Sequence, residues 1–189
     1  MSLVELCWNI TSYVSIIVQL GVAGICFGIF VSPYMLGRSK AIKAGTVYGV
    51  VMMVLYIMPP QIDNILAYFI GTLAVFAVMC AEDRRNINQK IFLSVNFFSL
   101  RWLSASMAGI IDHFFDIVLL NPQIAALGWL HYGLYVAVRI LGILFSFLLL
   151  LLSIQAVNRA YESKDRYMER RELVMLTVPS LSGIAGYAI

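Results

Sequence analysis

Residues 97–116 read FFSLRWLSASMAGIIDHFFD. Most of these side chains are apolar, yet Arg101 stands in the middle, and Asp112, His113 and Asp116 gather at the end. A run of this kind matches the ~20 residues that a helix needs to cross a bilayer. A charge at the centre of such a span costs at least ~2.5–3.5 kcal/mol on insertion scales. Arg101 must therefore face protein or water, and the stretch predicts a helix packed among other membrane helices.

The rest of the 189-residue chain has the same character. It is 61% hydrophobic and 12% charged, about half the ~25% charge of an ordinary soluble domain. Mean hydropathy is +0.88. Runs such as YGVVMMVLYIM and LFSFLLLLLSI do not alternate in polarity, as the strands of a membrane barrel would. The fold class is all-α, a polytopic transmembrane bundle in a single domain spanning 1–189.

Six apolar segments are predicted, at about 8–36, 44–58, 62–81, 91–120, 130–157 and 173–189. The second stops at Pro59-Pro60, a helix terminator. The fourth exceeds one bilayer and should protrude or bend. Of 13 Lys and Arg, 11 fall in the connections after the first, third and fifth segments. The other two connections and the N-terminus have none. Six sequential crossings under the positive-inside rule give this alternation, with the N-terminus outside and the basic connections cytoplasmic. MSLVELCWN carries no Lys or Arg, so it reads as a retained first helix and not as a signal peptide. The chain is still apolar at Ile189, which places its end in or near a sixth crossing.

In the fourth segment Arg101, Ala105, Ala108 and Asp112 are spaced by four, three and four residues, which puts them on one helix face. Asp116 continues this stripe and Ser94 precedes it. Arg101 lies 11 residues beyond Lys90, about 16 Å at 1.5 Å per residue and near mid-membrane. The fifth segment runs back antiparallel with its own embedded charge, Arg139. Counting from the hairpin tip puts Asp112 and Arg139 at similar depth, so they are expected to be neighbours.

Two readings follow. In one, these charges line an outward-facing ligand cavity or switch together with Asp63, His113 and His131, although a solvated or capping role near the outer interface is preferred for the two histidines. In the other, Asp112 and Arg139 form a structural salt bridge locking two helices.

Gly24 and Gly28 form a GxxxG pair, with Ser32 four residues on, a spacing that allows close helix approach. Packing inside one bundle is preferred to a homodimer seam. Trp8 and Trp129 suit an outer aromatic belt, and Trp102 lies deeper. The loop NRAYESKDRYMERRE reads as a solvated loop or a short surface helix. Cys7, Cys26 and Cys80 make no CxxC or Cys/His cluster, and no metal site or cofactor is expected. No phosphate loop, metalloprotease, serine-hydrolase or nucleic-acid motif occurs. A membrane cysteine peptidase is disfavoured, because no His lies near Cys80 in sequence.

The runs CAEDRRNINQKIFLSVNFFSLRWLS and TVPSLSGIAGYAI resemble the membrane sensor regions of bacterial GHKL-type sensor histidine kinases, the relatives of accessory-gene-regulator receptors. The likeness extends over the chain in helix number. It implies a multi-pass protein of the bacterial plasma membrane whose bundle detects an extracellular signal, often a peptide, in a two-component, quorum-sensing pathway. The family's ATP-binding domain and phosphoacceptor histidine are missing from these residues, so the chain as given is not expected to be an enzyme. Two alternatives stand beside this reading: the substrate-binding membrane subunit of a small-molecule transporter, and a purely structural bundle.

Overall fold

The first helix, α1, runs over Leu3–Val31 and stops short of the expected 36. Pro33 lacks an N–H and cannot continue the ladder, so the last bond runs from Ser32 N to Gly28 O at 3.0 Å. The remaining helices are α2 (Arg38–Ile57), α3 (Asn64–Glu82), α4 (Ile87–Leu119), α5 (Trp129–Ala160) and α6 (Arg170–Ala188). This computed structural model describes residues 3–34, 38–57, 64–83, 85–119, 128–161 and 168–188. All regular structure among the described residues is helical.

Helices α2, α4, α5 and α6 reach beyond their apolar segments at the basic ends. Lys and Arg are good helix formers with long stems that reach polar surroundings. Apolarity therefore marks the span, while the helix continues into charge. Helix α4 has 33 residues in one uninterrupted element. That is about 50 Å against a ~30 Å core, so it protrudes. Five helices, α1 to α5, are long and apolar enough to cross a membrane. Helix α6 does not reach that standard, since Arg170, Arg171 and Glu172 open it. The outward faces of the five carry Ile25, Val50, Phe69, Phe114 and Leu148, each more than half exposed. Apolar surface on this scale suits lipid and not water.

The neighbours of each helix define a ring. Helix α1 packs on α2, α2 on α3, α3 on α4, α4 on α5, and α5 back on α1. Helix α6 lies outside the ring, against α4. Between α1 and α2 the backbones nearly touch. A Cβ on Gly24 would stand 2.7 Å from the Gly45 carbonyl oxygen, and one on Gly45 would stand 2.5 Å from that of Gly24. Inside lipid there is no hydrophobic gain in pairing helices, so such close van der Waals contact holds them together. Gly24 and Gly28 thus serve the fold within one chain. Ser32 does not join them, because it sits exposed in the turn after α1.

At the basic end the ring is filled by aromatic side chains. Phe97 meets Phe27 at 4.6 Å and Tyr48 at 5.1 Å between ring centroids, and Phe92 meets Tyr161 at 5.1 Å. Tyr34 donates its hydroxyl to Asn158 Oδ1 at 2.7 Å. Burial holds the Tyr34 hydroxyl well above the usual tyrosine range, so it keeps the proton it donates. Asn86 takes φ 56°, a left-handed turn that asparagine tolerates, and its Oδ1 accepts from Met168 N at 3.2 Å. That bond and Asn88 Nδ2 to Met168 O at 3.0 Å clip the α3–α4 turn to the start of α6.

Candidate functional site: a cavity floored by an arginine

Opposite the aromatic end, α1 and α4 face each other across the ring and touch little. The space between them is a cavity of about 250 Å³. Helix α1 contributes Ile16, Gln19 and Leu20 to its wall, α2 Met52, Leu55 and Tyr56, and α3 Ala67 and Tyr68. From α4 come Arg101, Ala105, Ala108, Gly109 and Asp112. The small residues of the α4 stripe leave the room, and its two charged members stand at either end. The cavity lies toward the end of the ring where α2 finishes and α3 begins.

Arg101 is 2% exposed. Its guanidinium carbon lies 5.2 Å from the centre of the Tyr68 ring. The Tyr48 hydroxyl neighbours the guanidinium closely enough to interact with it, while Arg101 Nε has no hydrogen-bond partner among the described residues. No carboxylate pairs with Arg101 among the described residues. A desolvated cation–π contact returns ~2 kcal/mol. Burying the charge costs ~2.5–3.5 kcal/mol, and an unmet donor adds ~1–3 kcal/mol. The balance leaves Arg101 under-compensated.

Arg139 is solved differently. Its Nη1 donates to Asp112 Oδ2 at 3.1 Å, as the depth count expects. Its guanidinium carbon also lies 5.2 Å from the Tyr135 ring centre, and Trp8 stacks on that ring at 4.0 Å. His131 Nε2 bonds to the Leu119 carbonyl at 3.0 Å and its ring sits 4.9 Å from Trp8. Asp112 fits because Gly142 has no side chain. A Cβ there would lie 2.9 Å from Asp112 Oδ1, an oxygen that is buried and has no hydrogen-bond partner.

The other expected members separate. His113 is exposed, because one residue turns a helix by about 100° and takes it off the stripe. Asp116 is half-buried but stands beyond the cavity, about 22 Å further along α4 than Arg101. His131 belongs to the Trp8 cluster and not to the cavity wall. Ser94 is buried facing α3, beside Phe69 and Thr72. Asp63 lies outside the described residues, as do 162–167 of the charged loop. Trp102 packs edge-on to Tyr68 at 6.1 Å.

Sequence reasoning missed Gln19, Tyr48 and Tyr68. No pattern flags a lone glutamine or tyrosine in an apolar helix, since their role depends on which helix faces them. Gly45 and Gly49, the partners of Gly24, were visible as a second run of small residues four apart beginning at Ala41. The cysteines are unpaired, and no group of three or more metal-ligating side chains occurs among the described residues.

No family model, curated protein or solved structure matches this chain. Its chemistry is therefore read from the cavity itself. Donors at the floor, one carboxylate oxygen at the far end and apolar walls suit binding. None of these groups forms a nucleophile–base pair.

Proposed function

We propose that this chain is the membrane-embedded signal-sensing region of a bacterial sensor histidine kinase-like protein. In this reading it crosses the plasma membrane six times with its N-terminus outside, as the alternation of basic connections favours. The cavity then opens toward the extracellular side. A signal entering it favours one packing of α1 against α4 over another, which requires different affinity for the two packings. The aromatic side chains from Tyr48 to Tyr34 and Tyr161 connect the cavity floor to the cytoplasmic end, where a reporter would be attached. Phosphotransfer belongs to a GHKL domain outside these residues. A peptide signal would place only one end in 250 Å³.

The observation that carries the reading is the buried Arg101 with no counter-ion among the described residues, an intramembrane charge at the floor of a cavity. The same cavity favours a second reading, a substrate-binding transporter subunit. Against it, each described helix is continuous, whereas many transporter sites use broken helices. The coding sequence past codon 189 tests the choice. We expect it to continue in frame into a dimerisation helix and a GHKL domain. A stop codon beside genes for a transport ATPase and its coupling subunit would overturn the sensing reading in favour of transport.

A further inference from the structure

We propose that the cavity binds a small amphiphilic monoanion, with its head group on Arg101 and its apolar body along Leu20, Met52, Ala105 and Ala108. The inference deepens the sensing reading and rests on it only for its biological meaning.

The floor fixes the charge of the ligand. Arginine offers donors and no acceptor, and among the described residues Arg101 has no carboxylate partner and its Nε no hydrogen-bond acceptor, with the Tyr48 hydroxyl as its polar neighbour. The Tyr68 ring covers one face of the guanidinium, so an incoming group meets its edge, where a carboxylate or similar anion accepts from the fork. A cation or metal ion would be repelled there. The far end fixes the number of charges. Asp112 stands there, so a second anionic group would meet a carboxylate. The walls fix the body: apart from Gln19, Tyr56 and Tyr68 the lining between the two ends is apolar. The volume fixes the size, since 250 Å³ lies below the ~300–1,000 Å³ of pockets that hold drug-sized molecules.

The test uses the full chain in detergent with octanoate as the probe and octanol as its neutral counterpart. Tryptophan emission reports occupancy, since Trp102 packs on the Tyr68 ring that covers Arg101, and the thermal midpoint reports it independently. Octanoate should saturate and bind at least about tenfold more tightly than octanol. Arg101→Gln should abolish that preference. Ala105→Leu narrows the cavity without touching a charge, and should weaken octanoate while helicity stays unchanged. Equal curves for octanoate and octanol on the wild type would overturn the proposal, as would unchanged octanoate affinity in Arg101→Gln. If Arg101→Gln does not fold, the wild-type probe pair and Ala105→Leu still decide. Binding reads occupancy and the downstream reading frame reads signalling, so failure of either proposal is seen separately.

Discussion

Arg139 and Arg101 each stand well inside a long apolar helix, and each lies 5.2 Å from a tyrosine ring. Of the two, Arg139 alone has a carboxylate as well among the described residues, Asp112 at 3.1 Å. The difference separates scaffolding from a site. Arg139 closes a local circuit of charge, ring and stacked indole between α4, α5 and α1, with its charge met by a carboxylate although its Nε has no hydrogen-bond partner among the described residues. Arg101 is more deeply buried, contributes to the wall of a cavity and has no anion beside it among the described residues. Of the two readings weighed for the embedded charges, the salt bridge is seen at Arg139, and the ligand site is what we propose for Arg101.

Removing Arg139 should produce the largest effect. Breaking a fully buried pair costs ~3–5 kcal/mol and an exposed pair under ~1 kcal/mol. The Arg139 and Asp112 side chains are 28% and 31% exposed. Arg139→Ala is therefore expected to cost about 2–3 kcal/mol by unfolding in mixed micelles. The double variant Arg139→Ala/Asp112→Ala should recover part of that loss, because no unpaired carboxylate remains. Equal destabilisation by the single and the double variant would show that the pair is not the source of the stability.

A smaller break comes from behind the pair. Gly142→Ala puts a methyl 2.9 Å from Asp112 Oδ1 and must rotate the carboxylate off Arg139. The loss should be about 1–2 kcal/mol, the range of overpacking, and should vanish in an Asp112→Ala background. An undiminished loss in that background would assign the strain elsewhere.

The smallest effect belongs to a carboxylate outside the spans. Asp83 accepts from Arg85 N at 2.9 Å, and this bond, with nearby Lys90 and Lys40, holds its carboxyl below the ordinary value. A depressed carboxylate stabilises the fold above its unfolded pKa of ~3.9 and loses that contribution as pH falls through the folded value. The thermal midpoint of Asp83→Asn should therefore trail the wild type slightly near neutral pH, and the gap should close in acid. A gap that grows on acidification would contradict this.

Much of the bundle could be read from the sequence because a bilayer imposes a simple code. Length and apolarity mark spans, and helical rise converts residue number into depth. That arithmetic placed Asp112 opposite Arg139 before any coordinates. It also put the stripe from Arg101 to Asp112 on one interior face, as observed. Rotation separates neighbours that depth does not: His113 is one residue from Asp112 yet exposed, which fits the solvated role preferred for it over membership of the cavity.

What stayed hidden depends on which helices meet. Closure of α5 onto α1, the displacement of α6 to the outside of α4, and the use of Tyr68 and Tyr48 around Arg101 arise from packing between distant segments. No periodicity within one helix encodes them. Gly142 shows the same limit. Its role is to leave space for a carboxylate 30 residues earlier in the chain, and an isolated glycine in a leucine-rich helix gives no hint of that.

The most direct measurement is the unfolding free energy of Arg101→Met in the absence of added ligand, beside wild type and Arg139→Met. Methionine keeps an unbranched stem and removes the charge. If Arg101 is a binding group held at a cost, Arg101→Met should match or exceed the wild type, by up to about 1–3 kcal/mol, while Arg139→Met falls below it. A loss for Arg101→Met as large as that for Arg139→Met would make Arg101 scaffolding and remove the basis for a ligand site in the cavity.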